Sequence, residues 1–106
     1  MKTVNRQYRQ GDVLLQPIYA IPSDSVKANH TENIILAEGE ATGHAHRIKS
    51  SPSVKPYTMD SELYLEVLAP VELEHEEHDH ATVEPGCYKV IRQVEVWMDE
   101  VRKVVD

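Results

Sequence analysis

Five of the six histidines fall in two short segments, His44-Ala45-His46 and His75-Glu76-Glu77-His78-Asp79-His80. Neutral imidazole is the commonest protein ligand for zinc, iron, nickel and copper. On an extended segment, residues i and i+2 point to the same face, so the rings of His44 and His46 can reach one ion without backbone strain. Gly43 ahead of them removes a side chain from the approach. In the second segment, His78 and His80 have the same i, i+2 relation. His75 ends the strand before them, and a hairpin brings it back against His78 or His80. The pattern favours His75 and His80, because His75 continues the inward face of Val71 and Leu73 and His80 opens the returning strand. His78 then takes the turn, exposed or as a fourth ligand.

Three or four imidazoles drawn from two segments make a site for a divalent transition metal. Zinc suits such a set best, and iron, manganese and nickel are also admitted. The interleaved acids are either ligands or partners that orient the rings. A three-ligand site leaves an open position, where bound water ionises near neutral pH. Glu76 or Glu77 would then be the general base, and the protein a metal-dependent hydrolase acting on a small molecule or phosphoester. A closed four-ligand site points instead to a metal-stabilised protein-interaction module without catalysis. The spacing is not the His-Glu-x-x-His helix motif, because His75 and His78 are three apart. By itself, the run 72–79 reads equally as a solvated acidic turn. Two clusters in so short a chain favour the metal. His30 stands alone in a loop and reads as a surface residue, and Cys87 as a small buried hydrophobe. No Ser-His-Asp order, Gly-rich phosphate loop or nucleotide fingerprint is present.

Composition narrows the class further. The chain has 106 residues, and its net charge of −7 argues against a general nucleic-acid or anionic-membrane partner. A small-molecule substrate or a protein partner is expected instead, and composition leaves the oligomeric state open. The single cysteine excludes an intrachain disulfide and a four-Cys zinc site, and fits a reducing cytoplasm. The N-terminal residues lack the apolar stretch of a signal peptide. No apolar run approaches the roughly 20 residues of a membrane span. A cytoplasmic, single β domain over residues 1–106 is the expectation.

The elements that must position the histidines read as short strands. The candidates are 11–19, 34–38, 43–48, 62–68, 71–75, 80–83 and 88–96. Pro17 places the first at an edge or ends it nearby, since proline cannot donate to a ladder. Segments 20–33 and 49–61 read as loops rich in turn residues. The tail 97–105 reads as a turn and short strand, or as a short C-terminal helix on the stripe Val90, Val94, Trp97, Val101 and Val104. Short strands with turns every 8–12 residues predict an all-β fold, a small barrel or sandwich.

Three blocks carry a resemblance: Arg9-Gln10-Gly11-Asp12-Val13-Leu14-Leu15, Gly39-Glu40-Ala41-Thr42-Gly43-His44-Ala45-His46 and Leu73-Glu74-His75-Glu76-Glu77-His78. With Pro85-Gly86-Cys87-Tyr88, they resemble a group of small uncharacterised proteins of bacteria and their phages. That resemblance implies no activity. The order of a His-x-His pair and a later histidine is also similar to the cupins, a likeness at the level of fold that implies a small β-barrel. The cupin glutamate that closely follows the pair has no counterpart, the next glutamate being Glu62.

Overall fold

The computed structural model describes residues 6–38, 43–92, 94–97 and 100–103, the last two segments as backbone only. Alternating apolar residues and frequent turn chemistry give strands throughout: β1 (Tyr8–Gln10), β2 (Val13–Ile18), β3 (Val26–Lys27), β4 (Asn33–Glu38), β5 (Ala45–Lys49), β6 (Val54–Met59), β7 (Glu62–Val67), β8 (Val71–Leu73), β9 (Ala81–Val83), β10 (Gly86–Arg92), β11 (Val94–Trp97) and β12 (Glu100–Lys103). Among the described residues there is no helix, and none is therefore long and apolar enough to cross a membrane.

The main sheet is antiparallel, with strand order β1-β2-β10-β7-β6-β3. A second layer is assembled from hairpins β4–β5 and β8–β9. They are stitched by Arg47 and Glu74, whose main chains exchange N–H···O bonds of 2.9 and 2.8 Å. One core joins the layers. Val13, Leu15, Leu65, Val67, Tyr88 and Val90 from the main sheet meet Ile34, Leu36, Ile48, Leu73 and Val83 from the hairpins. The architecture is all-β, two layers packed face to face.

With no phenylalanine in the chain, tyrosines supply the aromatic bulk. The rings of Tyr8 and Tyr88 meet edge to face at 5.9 Å. Buried phenols need partners. The Tyr88 hydroxyl donates to the Glu84 carbonyl at 2.6 Å, and the Tyr8 hydroxyl accepts from the Glu84 N–H at 3.0 Å.

Of the two readings of the tail, the turn and strand is the one formed, for β11 and β12 pair as an antiparallel hairpin from Val94↔Lys103 to Trp97↔Glu100, with residues 98, 99, 104 and 105 outside the described residues. Valine-rich sequence satisfies both periods, and pairing decided for the strand. The expected loop 49–61 holds β6, which pairs β7 from Val54↔Val67 to Met59↔Glu62. Its turn residues Asp60 and Ser61 take φ of 52° and 68°. That is the handedness of a two-residue hairpin turn, without the Asn-Gly or Asp-Gly that usually signals one. Pro56 sits within β6, where its carbonyl accepts from Ala28 N–H just beyond the end of β3. Its missing donor therefore falls where the ladder has stopped. Pro17 is tolerated similarly, one residue before β2 ends. β1 flanks β2 only as far as Leu15, so at Pro17 only β10 is paired.

Candidate metal centre

β5 and the end of β8 bring the two histidine segments together. In β5, His46 and Ile48 face inward while Arg47 faces outward. His44 precedes the strand, half-buried. A register shift between Ile35 and Ala37 bends β4 opposite His46. Gly43 takes a φ of 85°, and nothing lies within 4 Å of where its Cβ would be. Its contribution is thus a left-handed backbone before His44, not the clearing of an approach. Beyond β8, the alternation that buries Leu73 also buries His75.

Four imidazoles pack ring to ring. His75 is the hub, with ring centroids 5.5 Å from His44, 4.3 Å from His46 and 4.8 Å from His78. The rings of His46 and His78 are stacked at 5.9 Å. His78, rather than His80, completes the nest. His80 is exposed and makes no ring contact with the group among the described residues. His30 is exposed as expected, and its Nδ1 lies 2.7 Å from the Ser50 hydroxyl.

The turn after β8 explains the placement. His75 Nδ1 accepts from the main-chain N–H groups of Glu77 at 3.0 Å and His78 at 3.3 Å. This side-chain cap closes a tight turn and swings His78 back over His75. With Nδ1 accepting, the neutral ring carries its proton on Nε2. An ion that binds His75 must therefore replace either those turn bonds or that proton.

Acidic groups surround the rings. Glu76 pairs with Arg47 and also accepts from the Ala45 main-chain N–H at 2.9 Å. Glu77 is exposed, its carboxylate 4.0 Å from His44 Nε2. One potential ligand atom from each of His44, His75 and Glu76 lies within 4.8 Å of the others. Ligands on a tetrahedral zinc ion with bonds of about 2.0–2.1 Å stand about 3.3 Å apart. The group is thus about 1.5 Å wider than a bound site needs, a difference that side-chain rotation can close.

Two ring nitrogens, His44 Nδ1 and His78 Nε2, are buried and make no hydrogen bond among the described residues. Cys87 is remote from this nest. It lies on β10, paired with Ile18 and Glu66, half-buried rather than fully buried as expected, and that partial burial pushes its thiol above the usual range.

Sequence reasoning missed two contributors, Gln10 and Asp12. Gln10 and Asp12 are buried polar residues on the β1–β2 hairpin. Gln10 Nε2 donates to the carbonyls of Leu73 at 3.0 Å and Asp79 at 2.9 Å, and its Oε1 lies 2.8 Å from His46 Nδ1. The available signal was Gln10 at i+2 from inward Tyr8, a polar residue on an apolar face. Two cavities, of about 470 and 550 Å³, lie elsewhere. His30, Ile34, Pro56 and Leu63 line the first, and Glu62, Lys89 and Arg92 the second.

A family model covers nearly all of this architecture. The chain belongs to the family described as a domain of unknown function, DUF8820, matched over residues 9–93. The DUF8820 match includes Gln10, Asp12 and every histidine of both clusters, and it ends before β11. None of the curated proteins and none of the solved structures compared with the chain matches it.

Proposed function

We propose that this protein binds a divalent transition metal through its histidine nest, with zinc as the ion best suited to the donors. The observation that carries the reading is the pair of buried ring nitrogens, His44 Nδ1 and His78 Nε2, without hydrogen-bond partners among the described residues, inside a group of four imidazoles. A buried polar atom left unsatisfied costs about 1–3 kcal/mol. A shared cation removes that cost and uses the lone pairs together. His44, His75 and Glu76 are the compact donor set, and His78 is the adjacent imidazole. Arg47 and the Ala45 N–H orient the Glu76 carboxylate, as partners of metal ligands do. The His-x-His pair followed by a later histidine also keeps the order of the cupin-like reading.

The ion has a structural consequence. His44 borders hairpin β4–β5 and His75 borders hairpin β8–β9, so one ion clips the second layer together. This favours a metal-stabilised module that meets a protein partner through its acidic surface. Hydrolysis of a small molecule or phosphoester is the second reading. It is supported by a set of two histidines and one carboxylate, which leaves coordination positions open for water. Glu77, exposed beside His44, is then the better general base, since Glu76 is engaged by Arg47. The lone Cys87 fits a reducing compartment, and a cytoplasmic location follows as part of the proposal.

The test is zinc binding by the metal-free full-length chain, measured by calorimetry. Wild type is expected to bind, and His44→Ala and His78→Ala each to weaken binding at least tenfold, the upper part of the range for perturbed metal sites being about 100-fold. Undiminished binding in both variants would remove the reading. A zinc-dependent hydrolytic activity abolished by Glu77→Gln, with zinc content intact, would select the catalytic version.

A further inference from the structure

We infer that Asp12 Oδ1 and His46 Nε2 form a further donor pair of the metal centre, held in place by Gln10 as a positioning residue. The inference rests on the metal reading above and extends its donor set.

The amide of Gln10 has one permitted orientation. Its nitrogen donates to Leu73 O and Asp79 O, which are acceptors only. Its oxygen must therefore be the atom facing His46, and His46 Nδ1 must be the donor across that 2.8 Å contact. The proton of the neutral ring is fixed on Nδ1, so Nε2 presents its lone pair. Gln10 reaches both ends of the turn that carries His75 and His78 while it holds His46, and so couples the two histidine segments. It is 3 % exposed, and these bonds satisfy its whole amide apart from further acceptor capacity on oxygen.

His46 Nε2 meets Asp12 Oδ1 at 3.1 Å, with side chains 0 and 4 % exposed. Asp12 Oδ1 takes no hydrogen bond from any described residue, so the contact is close without hydrogen-bond geometry. Held this close in the interior, the two atoms need a positive charge on or between them. It is either a proton on His46 Nε2, which makes the ring an imidazolium paired with Asp12, or a bound cation, and the protonation of Nε2 in the zinc form separates the two. The separation is that of neighbouring ligands on an ion with bonds of about 2.0–2.2 Å, whose lone pairs converge to one side of the line joining them. Charge points the same way. The imidazoles are neutral ligands, and Glu76 already shares its charge with Arg47. Asp12 has no Lys or Arg partner among the described residues, and its carboxylate supplies the anionic charge that a buried divalent ion requires. The His46 ring lies 4.3 Å from that of His75, while the compact group of ligand atoms is that of His44, His75 and Glu76, so side-chain rotation must bring the pair onto the same ion.

The experiment uses the full-length chain and zinc, with cobalt(II) as a spectroscopic stand-in. Asp12→Asn keeps an oxygen acceptor of the same shape and removes the charge and the strong ligand. It is expected to weaken zinc binding by more than about tenfold and to alter the visible spectrum of the cobalt form. Gln10→Glu still accepts from His46 Nδ1–H but cannot donate to Leu73 O or Asp79 O. It is expected to weaken zinc binding about tenfold while leaving the His46 tautomer intact. Long-range ¹H–¹⁵N NMR of zinc-loaded wild type is expected to show His46 protonated on Nδ1 and bound through Nε2. This readout needs no variant and does not move with a merely structural role. Wild-type zinc affinity and cobalt spectrum in Asp12→Asn would overturn the donor pair, as would a proton on His46 Nε2 in the zinc form. His75→Ala separates the two levels. If it loses zinc while Asp12→Asn does not, the histidine reading stands and the donor pair fails. If wild type binds no zinc, both fail.

Discussion

Gly43 shows how one residue sets the backbone ahead of the histidine nest. Its φ of 85° is a conformation that a Cβ destabilises, although there is open space for the methyl group itself. Gly43→Ala is therefore expected to lower stability by about 1–2 kcal/mol in urea denaturation, through the backbone alone. His80→Ala and His30→Ala are expected to leave zinc affinity within about twofold of wild type, because both side chains are exposed outside the nest. A calorimetric titration checks both. The inward orientation of His75 was legible because alternation from Val71 and Leu73 carries through to it. The choice between His78 and His80 was not. It is set by the cap that His75 Nδ1 makes to the turn, a contact no periodicity encodes. Gln10 and Asp12 escaped notice because their partners lie on strands far along the chain, with Gln10 and Leu73 separated by 63 residues.

Among the elements, β10 carries the clearest pH-dependent feature. Burial, followed by the neighbouring Tyr8 and its hydrogen bond, raises the Tyr88 phenol above its usual value of 10.0. A phenol whose folded value is raised contributes stability that is fully present below pH 10 and is lost as pH rises toward the folded value. Unfolding free energy is accordingly expected to fall with pH above about 10, the ordinary tyrosine value. Tyr88→Phe should flatten that decline. It should also cost about 1 kcal/mol at neutral pH through the lost bond to Glu84 O. Denaturation curves at pH 8 to 11, values about the ordinary phenol range, provide the check. Strands with clean alternation, such as β7, were readable from sequence. β6 was not, since Pro52, Pro56 and several serines disguise it as loop, and its turn uses Asp60-Ser61. The β11–β12 hairpin was one of two readings, because valines spaced for a helical stripe also suit a strand.

At the scale of the whole molecule, metal binding and folding are expected to be linked. The second layer consists of two hairpins joined by the Arg47–Glu74 bridge, and the histidine nest lies at that junction. At a zinc concentration of 100 times Kd, a ligand bound only by the folded state adds about 2.7 kcal/mol. In a domain of this size, that corresponds to a rise in Tm of about 10–20 °C, reversed by chelation. An all-β fold was legible because turns and alternation recur along the whole chain. The six-stranded order was not, since β2 pairs β10 and that long-range register depends on the assembled core. The most direct test is the zinc content and zinc titration of the metal-free full-length protein, wild type beside a His44→Ala/His75→Ala variant. Saturable binding by wild type and its loss in the variant are expected. A wild-type chain that takes up no zinc, or a variant that binds it as tightly, would contradict the histidine nest as a metal centre.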